Sequence, residues 1–399
     1  MPRRLFPAAL CTLLAVLIAA PAAHALDIST LRKKLAAASR HLSTTSGAYV
    51  RDLTTGRTLY ARKADVRRAP ASNEKLLTTS TALLRYGTAA RFRTTLQATA
   101  APADGIIKGD VALVGAGDPY LATSQLQLIA AQLSALGVTE ITGKVLGDGA
   151  LFDSRPGSYD SGYRYDSDIG GSLGGLVVGE GHGTDPALYA ATALRQALLA
   201  ADILVDKGPH AGALSTPGTT IAGVSSAPLS TEITRINLPS DNFAAEMLVK
   251  DLGASFGSAG STATGAAIVR ATLGPLGLQP TVVDGSGLSR TDRVSPRELV
   301  TLLTAMAGRP EGAALRASLP VVGRTGTLAT RMRGTAARDR CQAKTGTLIG
   351  VSALSGYCTT QGGDVVTFSF IENGMDSGHA KRVEDQMLPA IARYAPPSG

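Results

Sequence analysis

The chain has 399 residues, 44% hydrophobic and 18% charged, which excludes a disordered polymer and is too long for one small core. The net charge of +8 comes without aromatic-studded basic stripes, so nucleic acid is not an expected partner, and a mild basic excess suits work near anionic cell-envelope polymers. Lysine and asparagine are scarce, with ten and four copies, so any motif that needs them stands out.

The N-terminus reads as an export signal. Arg3 and Arg4 precede an apolar run from Leu5 to Ala20, and Ala23-His24-Ala25 has the small-x-small pattern of a cleavage site. An uncleaved anchor is the alternative, but the run is short for a bilayer span of about 20 residues. Cleavage is expected at about Ala25, giving a secreted, extracytoplasmic mature protein. It removes Cys11 and leaves Cys341 and Cys358.

A short helix is expected over Leu31–Ser39, then strands at Gly47–Arg51 and Arg57–Ala61 around a Thr-Thr-Gly turn. A helix follows from Ser72 to about Leu84. From Phe92 to Ala222 short strand-like runs (Thr95–Ala98, Gly109–Val114, Gly143–Leu146) alternate with Gly- and Asp-rich loops and two helical patterns, near Gln125–Leu136 and Pro186–Leu199. This block reads as an insertion, and its Tyr-rich stretch Tyr159–Asp168 as a surface loop. Helices are then expected over Asn242–Leu252, Ala263–Leu273 and Pro296–Met306. Strands fit Gln342–Leu348, Val351–Tyr357 and Val365–Ile371, and a last helix fits Lys381–Ala395. If 341–348 and 351–358 pair as a hairpin, Cys341 faces Cys358 at a separation a disulfide tolerates. Two free thiols are the alternative, and an oxidising compartment favours the bond.

Three short patterns carry chemistry. Ser72-Asn73-Glu74-Lys75 at a helix start puts a hydroxyl and an amine three residues apart on one face, as a serine nucleophile and its base require. Lys75 would need burial or a nearby cation to lose its proton near neutral pH. Alone, the pattern also fits a helix start with a solvated lysine. Ser240-Asp241-Asn242 offers a second hydroxyl and an amide, or simply a helix cap. Lys344-Thr345-Gly346-Thr347 offers a cation and hydroxyls for a carboxylate, with Gly346 admitting substrate backbone, or else a protected edge strand. Each occurs once, in that order, 168 and then 104 positions apart. Together they match the triplet of active-serine penicillin-recognising enzymes.

The flanks narrow the likeness. Ala69-Pro70-Ala71-Ser72-Asn73-Glu74-Lys75-Leu76-Leu77-Thr78, Pro239-Ser240-Asp241-Asn242 with Ala245-Glu246-Met247-Leu248, Asp284-Gly285-Ser286-Gly287-Leu288-Ser289-Arg290 and Ala343-Lys344-Thr345-Gly346-Thr347-Leu348 resemble the class C low-molecular-mass penicillin-binding proteins, the D-alanyl-D-alanine carboxypeptidase/endopeptidase family. The likeness spans roughly Ser46 to Ala395.

The resemblance implies an α/β (α+β) fold, a mainly antiparallel sheet flanked by helices with a large inserted region. It implies a discontinuous acyl-transferase domain, 26–90 and 223–396, after a signal peptide of 1–25, with 91–222 as inserted subdomains. It implies a serine-type carboxypeptidase, with endopeptidase action as the family's second activity, acting on peptidoglycan peptides ending in D-Ala-D-Ala, with β-lactams as covalent inhibitors and no cofactor. Ser72 would be the nucleophile, Lys75 the base and Ser240 the proton shuttle. Asn242 would orient the peptide, and Lys344, Thr345, Gly346 and Thr347 would bind its end, with the N–H groups of Ser72 and Thr347 holding the oxyanion.

Rival readings are weaker. A class A β-lactamase lacks support, since no Glu-x-x-Leu-Asn motif stands out. Gly170-Gly171-Ser172-Leu173-Gly174 satisfies the hydrolase elbow pattern but lacks a strand before it and a helix after it. His41, His182, His210 and His379 have no ligand spacing, so no metal is expected. Arg324-Thr325-Gly326-Thr327-Leu328 imitates the third motif without its lysine. A non-hydrolytic cell-wall scaffold on the same fold is the non-enzymatic alternative.

Overall fold

The computed structural model describes residues 25–396. The signal-peptide reading therefore falls almost wholly outside the described residues, as does Cys11. No helix among them is long and apolar enough to cross a membrane.

The central sheet has five antiparallel strands in the order Cys341–Leu348, Val351–Thr359, Val365–Asn373, Gly47–Asp52, Thr58–Arg62. Chain ends meet in its middle, because Gly47–Asp52 pairs with Val365–Asn373. The strand Val351–Thr359 is buried at eight successive positions, which follows from helices covering both sides of the sheet. On one face the terminal helices Ile28–Ser39 and Ser377–Ala392 pack over Val50, Leu354, Phe368 and Phe370. On the other, Glu74–Tyr86, Asn242–Phe256, Thr262–Leu273 and Pro296–Ala307 share a core with Tyr357 and Ile371.

The helix Glu74–Tyr86 is buried at ten successive positions, Glu74 to Leu83. A helix enclosed on all sides fixes its residues by packing rather than by local propensity. Of the polar side chains it encloses, Thr78 and Thr79 donate to buried carbonyls, whereas Glu74, Ser80 and Thr81 have no hydrogen-bond partner among the described residues.

Strands between Arg93 and Ser225 pair among themselves. A second five-stranded sheet runs Thr219–Ser225, Arg93–Ala98, Val111–Val114, Val145–Asp148, His210–Ala211, antiparallel at first and parallel at the far end. Three two-residue parallel strands form a third. The helices Thr123–Ala135 and Pro186–Ala200 cover this unit's own core.

Cys341 and Cys358 lie opposite each other in the hairpin register, Cα atoms 4.0 Å apart, and are bonded. The bond closes a loop with a sequence separation of 17. Replacing both with serine should cost about 3 kcal/mol of stability, by removing that restraint on the unfolded chain. A urea midpoint equal to that of the parent would contradict this.

Candidate active site

The first motif begins on a strained turn. Asn373 grips Ala69 from both sides, its Oδ1 accepting from the Ala69 N–H and its Nδ2 donating to the Ala69 carbonyl, each at 3.1 Å. Ala71 then takes a left-handed φ of +47°, which a residue with a Cβ adopts only when its surroundings impose it. Two neighbours do so. A Cβ on Gly287 would lie 2.0 Å from the Ala71 carbonyl oxygen, and one on Gly346 would lie 2.7 Å from that of Pro70 and 3.1 Å from the Ser72 nitrogen. Gly346 is therefore demanded by the turn that carries Ser72, a packing reason distinct from the substrate approach expected from the sequence. Ser72 sits on a 3-10 turn, Ala71–Asn73, and the α-helix starts only at Glu74.

Lys75 is fully buried one turn on. Its Nζ donates to Asn242 Oδ1 at 2.7 Å, to the Ser286 carbonyl at 2.8 Å and to Ser72 Oγ at 3.2 Å. Burial drives its pKa from 10.5 down to about 8, against the pull of Asp284, Glu246, Asp241 and Glu74, which favour the charged form. An ammonium fills all three directions. A neutral amine has two N–H bonds and one lone pair, and the two shorter contacts claim the N–H bonds. The lone pair is left aimed at Ser72.

The second motif lies between helices Leu229–Asn237 and Asn242–Phe256. Asp241 caps the latter by accepting from the Ala244 N–H at 3.0 Å, and receives the Tyr120 hydroxyl at 2.9 Å. Ser240 is half-buried with φ +69°, a second left-handed non-glycine residue in the site. The other end of the Asn242 amide donates to the Asp168 carbonyl at 2.8 Å.

Lys344, Thr345 and Gly346 are buried on the edge strand and Thr347 is exposed. Pro320 and Val322 bond to the strand's first half, through Ala343 N–H to Pro320 O and Val322 N–H to Cys341 O. Among the described residues that edge has no backbone partner beyond Ala343. Lys344 Nζ donates to the Thr345 carbonyl at 2.9 Å. Burial, helped by the nearby Lys75 charge, holds its pKa well below the ordinary lysine value.

Several neighbours escaped the sequence reading. Thr327, in the segment set aside for lacking a lysine, meets Thr345 hydroxyl to hydroxyl at 2.7 Å. Its 3-10 turn, Gly326–Leu328, presses on Leu238: a Cβ on Gly326 would lie 2.3 Å from that carbonyl. Thr327 thus joins the second and third motifs. The Tyr159–Asp168 stretch, expected as a plain surface loop, abuts the site. Besides the Asp168 contact, Asp160 accepts from Ser289 Oγ at 2.7 Å and from the Arg290 N–H at 3.3 Å.

The rival sites do not assemble. Ser172 is buried and donates to the Gly183 carbonyl at 2.9 Å, in a segment without the strand and helix of a nucleophile elbow. No His, Cys, Asp and Glu group among the described residues could hold a metal.

Known proteins share this chain's sequence and architecture. The profile of the D-Ala-D-Ala carboxypeptidase 3 (S13) family matches residues 30–171 and 182–394. The D-alanyl-D-alanine carboxypeptidase of Actinomadura sp. (strain R39) is 32% identical over 88% of this chain and 81% of its own length. Carboxypeptidase DacB of Mycolicibacterium smegmatis is 30% identical over 86% of this chain and 79% of its own. In three dimensions, penicillin binding protein 4 (dacB) from Haemophilus influenzae superposes with a TM-score of 0.78 at 19% identity, covering 88% of this chain and 97% of that one.

Proposed function

The chain belongs to the D-Ala-D-Ala carboxypeptidase 3 (S13) family, and from that premise we propose how its own residues carry out a serine-type D-alanyl-D-alanine carboxypeptidase reaction. The observation that supports the assignment best is the Lys75 amine, buried, facing Ser72, and held by two acceptors that direct its lone pair there.

Ser72 Oγ attacks the carbonyl carbon of the penultimate D-alanine as its proton passes to Lys75. The resulting oxyanion lies between the N–H groups of Ser72 and Thr347. Ser240 relays that proton from Lys75 to the nitrogen of the departing D-alanine, the C–N bond breaks, and the peptide remains as an ester on Ser72 with Lys75 neutral again. Water, deprotonated by the same amine, cleaves that ester and restores the hydroxyl. Lys344, Thr345 and Thr347 hold the terminal carboxylate, and Asn242 steers the peptide. A peptide laid along the uncovered edge beyond Ala343 extends the sheet by a strand. β-Lactams enter by the same first step and are retained as an ester.

The division into an acyl-transferase domain, 26–90 and 223–396, with an inserted 91–222 region belongs to the same reading. The central sheet draws its strands from the two outer segments, and the inserted sheets draw theirs from Arg93 to Ser225, so the strand Thr219–Ser225 runs three residues past the expected boundary at 222. Peptidoglycan places the work outside the cytoplasmic membrane, and we assign the exported form to cleavage near Ala25.

The test is intact mass of the protein after incubation with benzylpenicillin, followed by peptide mapping and an assay of D-alanine release from a pentapeptide ending in D-Ala-D-Ala. One penicilloyl group on the Ser72 peptide together with D-alanine release is the expected result. No adduct would overturn the reading, and an adduct without release would favour a non-hydrolytic scaffold.

A further inference from the structure

One of the three acceptors of Lys75 is a main-chain carbonyl, that of Ser286, so something must hold that peptide in place. Ser286 lies in the Asp284–Ser289 loop. Its N–H and that of Gly285 both donate to one oxygen, Glu246 Oε1, at 2.9 and 3.0 Å. From the other side Thr78 donates to the Gly285 carbonyl at 2.9 Å. The loop lies so close to the helix carrying Glu246 that a Cβ on Gly285 would be 2.5 Å from the Ala245 carbonyl. Glu246 is fully buried.

We propose that Glu246 is a positioning residue for the reaction: through the 285–286 peptide it holds the Ser286 carbonyl on Lys75, and so keeps the amine's lone pair on Ser72. The inference rests on Lys75 serving as the base.

The charged surroundings make this role testable apart from mere structure. Glu246 is faced by Asp284 from the loop, by Glu74 and Lys75 from the Ser72 helix, by Lys250 from its own helix and by Tyr163 from the inserted region. Lys75 is faced in addition by Asp241 and Lys344. Burial, with Asp284 adding to it, pushes the Glu246 carboxyl up to about 8, the range in which Lys75 loses its proton. An ionised Glu246 keeps the proton on Lys75, so a neutral residue there lets it leave at lower pH.

The experiment measures the second-order rate of benzylpenicillin acylation against pH for the parent, Glu246→Ala and Glu246→Gln, with urea unfolding to establish that each is folded. Glu246→Ala loses the acceptor and should slow acylation by about 30-fold or more at every pH. Glu246→Gln keeps an acceptor oxygen, so its high-pH plateau should stay within about 3-fold of the parent while its acid limb moves down by about 0.5 pH unit or more. The proposal is overturned by a Glu246→Ala rate near the parent's, by a Glu246→Gln variant as slow as Glu246→Ala, or by an unmoved acid limb in Glu246→Gln. If Glu246→Ala fails to fold, the Glu246→Gln profile decides alone. A parent protein that takes no penicilloyl group at all defeats the acyl-serine reading itself, and this inference with it.

Discussion

Ser72→Ala should take up no penicilloyl group, and Lys75→Met should acylate about 1,000-fold more slowly than the parent. The first variant lacks the atom that forms the ester, so its mass should stay unchanged at any drug concentration. The second keeps the hydroxyl but removes the amine that faces it at 3.2 Å. Methionine approximates the stem's length, so the buried channel stays filled and the loss reads on proton transfer. Lys75→Arg should not rescue it, because a guanidinium does not give up its proton near neutral pH. In the parent, acylation should rise with pH through about 8, where the buried amine becomes neutral. A Lys75→Met rate within 10-fold of the parent's would remove Lys75 from the role of base.

Stability against urea should be higher at about pH 5.5 than at about pH 8. Burial raises the carboxyl of Glu246 to about 8 and that of Glu232 to about 7, and lifts Glu74, Asp251, Asp292 and Glu372 well above the ordinary range. Unfolded, such groups ionise near their ordinary values of about 4 to 4.5. Between those values and the raised ones the native state holds more protons than the unfolded chain. Stability therefore falls as pH rises through that window, by about 1.4 kcal/mol per pH unit for each proton of difference. Lys344 opposes them, since its lowered pKa makes the native state hold fewer protons than the unfolded chain. Lys75 acts in the same sense as Lys344 above about pH 8. The raised carboxyls outnumber the lowered lysines, so the slope stays downward. Glu246→Gln should flatten it between about pH 5.5 and pH 8, because one titrating group is gone. A urea midpoint that rises across this interval would contradict the argument.

How far the site could be read in advance depended on which atoms make it. Ser72 and Lys75 were legible because three residues along a helical start put two side chains on one face. The hairpin was legible because Cys341 and Cys358 lie at equal distances from the Ile349–Gly350 turn, which sets the register in which they meet. The carbonyl of Ser286 was not, because every residue has one and no side chain marks it. Glu246 was visible only as part of the flank Ala245-Glu246-Met247-Leu248, with nothing in the sequence to point it at the 285–286 peptide. Thr327 was set aside for want of a neighbouring lysine, but its contact with Thr345 depends on how the chain around Leu238 folds back. Asp168 reaches Asn242 across 74 positions of intervening chain, and no local period signals such a contact. The helix Leu229–Asn237 was missed although Leu229, Ile233 and Ile236 keep a helical spacing, because the segment is short and mixed with polar residues. In the inserted region the strands near Thr95–Ala98, Gly109–Val114 and Gly143–Leu146 were visible, but Thr219–Ser225 and the two-residue strands were not, nor was the switch from antiparallel to parallel pairing, since partner choice there is made between distant segments.

The partial cover on the edge strand acts as a ruler. Pro320 and Val322 occupy the strand as far as Ala343, and the turn at Ile349 and Gly350 ends it, so the stretch open to a guest is Lys344 to Leu348, where the Thr345 carbonyl already accepts from Lys344 Nζ. An antiparallel guest engages alternate residues of its host, so five positions accept two or three guest residues and no more. Chain length beyond that gains nothing from the main chain, and a longer peptide must be distinguished by its side chains or its free end. The same brevity protects the protein in the crowded space outside the membrane. A template of five residues, with Lys344 beneath it and a tight turn at one end, gives another copy's strand too little to hold.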